Sequence, residues 1–217
     1  MGAGVLASDP AVQDVGFDAG FSPSPDILRA PGIAVGNIPD QPGWIQGAPL
    51  LAVEYADTGQ DEGELAAKIQ DLLAAGTRYV WVVRLTGPRR VEVHQAGTGL
   101  STAHPGDQLE APGILANPVP VDALYDREAA REVTLRNLLQ REGYASLEAV
   151  RAQGEVEGEA RGLRTAIADV LSARGLPVDD DLRTALDGVS DSGILRLLLG
   201  RAATAASPAE IHAALQG

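Results

Sequence analysis

The sequence predicts a mixed α/β core followed by an all-helical C-terminal region. Three observations carry this. The stretch Pro49 to Leu85 reads strand, loop, helix, strand. A β-rich, proline-punctuated composition gives way after Arg127 to Ala, Leu, Glu and Arg. Apolar residues make up 45% of the 217, enough for a core, while aromatics at 4% leave that core to Leu, Val, Ile and Ala.

The central stretch justifies the core. Leu50 to Val53 is a short apolar run, suited to a strand buried on both faces, and Glu54 closes it. An ionisable group at that point is costly unless a charge meets it. Ala56 to Gly63 is a polar loop. Leu65, Ile69, Leu72 and Leu73 then share one helical face, and Gly76 is placed to end the helix. Tyr79 to Leu85, rich in Val and aromatics, is the second strand. Lys68, at the edge of the helix stripe, is the chain's one lysine beside sixteen arginines. A compact ammonium is not interchangeable with a guanidinium. Two roles are open to it: an ordinary i,i+4 pair with Glu64, or a partnership with the strand-end Glu54.

Around this stretch, residues 1–12 are small and polar and are expected to be flexible. Asp14 to Phe21 alternates as a strand does. Asp26 to Val35 reads as a second strand interrupted near Pro31 and Gly32, and Gly36 to Gly47 as a loop anchored by Trp44. Val91 to Gln95 forms a hairpin with Tyr79–Leu85, its tip carrying Arg89 and Arg90. Leu109 to Asp126 wraps extended over the core. Beyond Arg127 the chain is helical, with Glu155 to Arg164 as a frayed connector because it mixes helix formers with Gly. A helix ends at Gly175–Pro177, another starts at Asp179–Asp181, a third runs from Asp191 to about Ala203, and a last opens at Ser207-Pro208. The expected divisions are 1–127 for the α/β core, 128–160 for a helical connector and 161–217 for a small helical domain.

Composition excludes several chemistries. The absence of cysteine rules out disulfides, thiolate metal sites and cysteine nucleophiles. No stretch has the length of a membrane span and the N-terminus has no signal pattern, so a cytoplasmic protein without membrane partners is expected. A net charge of −13 disfavours DNA as a partner, since little is gained by neutralising phosphates. His94 and His104 bracket a loop without a third ligand for zinc. No nucleophile elbow, Walker pattern or dinucleotide fingerprint is present.

Asp26, Glu54 and Lys68 remain as the candidate cluster. Two carboxylates from adjacent strand ends can hold Mg²⁺, and a lysine beside them can orient water or stabilise developing negative charge. The segments PSPDILRAPGIAV, PLLAVEYAD, a helix bearing Lys68, RYVWVV, VEVHQ and APGILANPVPVDALYD follow one another in an order that resembles the bacterial "putative restriction endonuclease" family of the PD-(D/E)XK nuclease-like superfamily. The resemblance covers about residues 13–127 and implies a restriction-endonuclease-like mixed sheet with a flanking helix. It further implies metal binding by Asp26 and Glu54, a catalytic Lys68 moved from strand to helix, Mg²⁺ or Mn²⁺ as cofactor, and hydrolysis of DNA phosphodiesters. Position 56, where the ordinary motif keeps its lysine, is Ala56. The family's first helix and a further Glu-bearing strand are expected to be missing here, and its Ser-containing turn is replaced by Tyr55-Ala56-Asp57-Thr58-Gly59. These departures favour an alternative: a catalytically degenerate nuclease-fold module acting in protein–protein interaction. Amphipathic C-terminal helices point to a homodimer.

Overall fold

The structure, a computed structural model, describes residues 1–215. In chain order the elements are α1 (Gly2–Ser8), β1 (Val15–Phe17), β2 (Phe21–Ser24), β3 (Ile27–Arg29), β4 (Ile33–Val35), β5 (Ile45–Gln46), β6 (Leu51–Ala56), α2 (Glu62–Ala74), β7 (Tyr79–Arg84), β8 (Arg90–Gln95), β9 (Gly99–Ala103), β10 (Gln108–Leu109) and β11 (Val119–Pro120). A 3₁₀ turn over Val121–Leu124 leads into α3 (Arg127–Arg141), α4 (Leu147–Ala173), α5 (Asp180–Asp187), α6 (Ser192–Ala202) and α7 (Pro208–Leu215). The expected class holds: a mixed α/β core followed by a helical C-terminal part. Among the described residues no helix is long and apolar enough to cross a membrane.

The chain divides into two compact units, Met1–Ala145 and Ser146–Gly217. In the first, six strands lie in the order β1-β4-β6-β7-β8-β9; β6 and β7 run parallel and the other neighbours antiparallel. The parallel pair is joined by α2, as a crossover requires. Side-chain alternation on β6 then sorts the core. Leu51 and Val53 face one layer with Trp81, Val83 and Val91, covered by Val5, Leu6, Leu124 and Val133. Ala52 and Ala56 face the other with Val80 and Val82, covered by Leu65, Ile69 and Leu72 of α2. Asp61 caps α2 by accepting from the Glu64 N–H, and Gly76 follows its end at φ 109°.

Two expectations are corrected here. Residues 1–12 are not a loose arm: α1 buries Gly2, Ala3, Val5, Leu6 and Ser8. The partners come from α3, where Asn137 donates to Val5 O and Ser8 Oγ, and Arg141 Nη2 donates to the carbonyls of Ala7, Asp9 and Val12. This packing is why the first unit extends beyond the expected residue 127 to Ala145. The stretch Asp26–Val35 is not one strand either. It splits into β3, in a separate sheet of order β3-β2-β5, and β4, in the main sheet.

The second unit buries Ala160, Ile167 and Leu171 of α4 with Leu182 and Leu186, Leu195, Leu198 and Ala202, and Ile211. The expected frayed connector is continuous helix within α4. Gly154, Gly158 and Gly162 lie along it four residues apart, each with open space where a Cβ would stand.

Candidate functional site

Period-2 alternation places Glu54 on the same face of β6 as Ala52 and Ala56, beneath α2. Lys68 descends from α2 to meet it. Its Nζ lies 2.8 Å from Glu54 Oε1 and donates to the Ala30 carbonyl at 2.9 Å. Of the two roles open to Lys68, the structure therefore has the partnership across the sheet. The pair sits in a recess of about 150 Å³ lined also by Arg29, Gln60, Glu64 and Leu65. Arg29 is tied to Asp71, with Nε and Nη2 donating to Oδ2 at 2.9 and 2.6 Å.

Burial pushes the Glu54 carboxyl above its ordinary pKa. The Lys68 hydrogen bond and charge and the Gly32 N–H pull the other way, and the negative charge of Asp18 adds to the rise. The antiparallel pairing of Ile33 with Val53 continues to bring Gly32 alongside Glu54.

Asp26 does not join this site. It stands with Pro25 in the tight turn between β2 and β3, exposed, and is not among the residues lining the recess. The recess thus brings Glu54 together with Lys68 and leaves Asp26 outside it. Among the described residues, no group of three or more His, Asp or Glu side chains converges as a metal cluster.

Sequence reading missed two features. Asp18, at φ 46° after the edge strand β1, is the acid whose charge reaches Glu54; a lone Asp between Phe17 and Ala19 gave no sign of it. Near the end of β7, Arg84 links Glu62 of α2, at 2.5 and 2.9 Å, to Glu92 of β8 at 2.8 Å. The two carboxylates raise the Arg84 pKa, and Arg84 lowers that of Glu62. At the hairpin tip Arg89 lies 5.4 Å over the Tyr125 ring and Arg90 Nη2 lies 3.3 Å from Glu92 Oε1. His94, half-buried on β8, has its pKa lowered by burial.

No protein-family model and no curated protein matches the chain. Among solved structures it is similar to a protein from Anabaena variabilis described as "a putative nuclease belonging to DUF820". The two are 18% identical, the match covers 57% of this chain and 75% of that one, and the TM-score is 0.48. A likeness at that level assigns no residue and no activity, so the reading of the site rests on its own geometry.

Proposed function

We propose that residues 1–145 are a nuclease-like core without a working two-carboxylate metal site, and that the protein acts as a non-catalytic module in protein–protein interaction and oligomerisation. One observation carries this reading: Glu54 is paired with Lys68 at 2.8 Å, while Asp26 stands in the turn of another sheet. The net charge of −13 supports it further, since it opposes retention of a phosphate backbone.

A second reading, a Mg²⁺-dependent endonuclease hydrolysing DNA phosphodiesters, is favoured by the recess itself. A carboxylate with a raised pKa beside an ammonium, in a cleft, is the type of arrangement found at catalytic sites. In that reading Lys68 would hold positive charge beside the developing anion.

The two separate in one experiment. Mg²⁺ and Mn²⁺ are titrated calorimetrically into wild type and Glu54→Ala, and plasmid cleavage is followed for both and for Lys68→Ala. The interaction reading expects no saturable binding that depends on Glu54 and no cleavage. Cleavage by wild type that disappears in Glu54→Ala would overturn it.

A further inference from the structure

Helix α6 has two faces of different fate. Leu195, Leu198 and Ala202, spaced i, i+3 and i+7, are buried in the core of the second unit. Ile194 and Leu197 are not: they are 46% and 72% exposed. They line a groove of about 580 Å³ together with Val189, Gly200, Ala214 and Leu215. The space in front of Gly200 is open, with nothing within 4 Å of where a Cβ would stand.

We infer that a second copy of this chain docks on this face, with α6 antiparallel to its counterpart across a two-fold axis. The inference rests on the interaction reading above and names its partner and surface. A two-fold contact must be self-complementary, because one patch meets itself. This patch holds both halves of such a fit: the groove, and on its wall Leu197, exposed enough to enter the same groove of a second copy.

Charge gives the second argument and sets the direction. The α6 stripe begins at the acidic N-cap Asp191 and ends at Arg201, which lines the groove, with Ile194 and Leu197 between them. Antiparallel pairing sets Asp191 of each copy against Arg201 of the other, and opposes the two helix dipoles. Parallel pairing would set like charges together. Arg196 takes no part in this, being held by Glu159 of α4.

The test is sedimentation velocity and light scattering on the full chain: wild type, Leu197→Glu, Leu197→Ser and Arg201→Glu, with circular dichroism as the control for folding. Both side chains are exposed, so the unit is expected to keep its helicity. Wild type is expected to be a dimer. Leu197→Glu, which places a charge at the centre of the contact, weakens it by ~30-fold or more. Arg201→Glu weakens it by ~3–10-fold, because it sits at the rim and meets Asp191 as a like charge. If Leu197→Glu loses helicity, Leu197→Ser and Arg201→Glu decide. A wild type that stays monomeric at ~0.1 mM overturns the inference. A dimer that none of the three variants weakens overturns this surface and leaves the interaction reading standing. Glu54-dependent cleavage by a protein that still dimerises through α6 would do the reverse.

Discussion

Replacing Lys68 by Met tests the site at the level of its electrostatics. The change keeps most of the aliphatic stem and removes the ammonium. Glu54, 13% exposed, is then left without its 2.8 Å partner, and the Ala30 carbonyl without its donor. Breaking a fully buried pair costs about 3–5 kcal/mol. Both side chains keep some contact with water, which brings the expected loss to about 2 kcal/mol at neutral pH. The loss has a pH signature. The Glu54 pKa is already raised in the folded state, and Lys68 supplies the two largest influences holding it down. Without them it rises further. A carboxyl that binds its proton more tightly when folded contributes stability that falls as pH rises from the unfolded pKa through the folded one. The variant's deficit should therefore be largest near pH 7.5 and shrink toward about pH 5, as Glu54 takes up a proton. Urea unfolding followed by tryptophan fluorescence reads this directly: both tryptophans lie in the first unit, and Trp81 is paired with Val53, next to Glu54. The double variant Glu54→Gln/Lys68→Met should recover at least about 1 kcal/mol, because it leaves no charge unpaired. A deficit under about 0.5 kcal/mol, or one of equal size at both pH values, would refute the reasoning.

Two further outcomes are expected in the same assay, both at the chain's N-terminal end. Asp9 is 1% exposed and accepts from the N–H groups of Ala11, Ala116 and Asn117, so Asp9→Ala strands three donors and should lower stability by about 3 kcal/mol, with Asp9→Asn between it and wild type. Leu6→Ala empties a fully buried site where α1 meets the sheet and should cost about 3 kcal/mol, whereas a loose arm would show no change.

The parts of the fold legible in the sequence are those that local signals define. β6, α2 and β7 announce themselves through an apolar run, a 3.6-residue stripe and a terminal glycine. The later helices show caps at Asp179 and Asp191. Lys68 and Glu54 were both readable, because a lone lysine on a half-buried face and an acid closing an apolar strand each need a partner. Asp26 misled because adjacency in sequence does not say which sheet a strand joins. Ala30 to Gly32 break the backbone between β3 and β4, and the β2–β3 hairpin that carries Asp26 belongs to a different sheet from β4. α1 was invisible for another reason. Seven residues of GAGVLAS have little helix-forming tendency of their own, and what holds them is Asn137 and Arg141, some 130 positions away in the chain.

The three glycines of α4 carry a consequence for how that helix behaves in time. Each lowers helix stability by about 1 kcal/mol relative to alanine, and around Gly154 and Gly158 no side chain from Leu147 to Glu159 is buried to offset it. From Ala160 onward the same rod is held by Ile167 and Leu171. One continuous helix thus has two lifetimes. Its first half opens and recloses as a local fluctuation that uncovers no core, exchanging its amide hydrogens quickly, while its second half opens only when the unit it anchors comes apart. A uniform outline here hides a steep gradient of protection, with the step at Ala160.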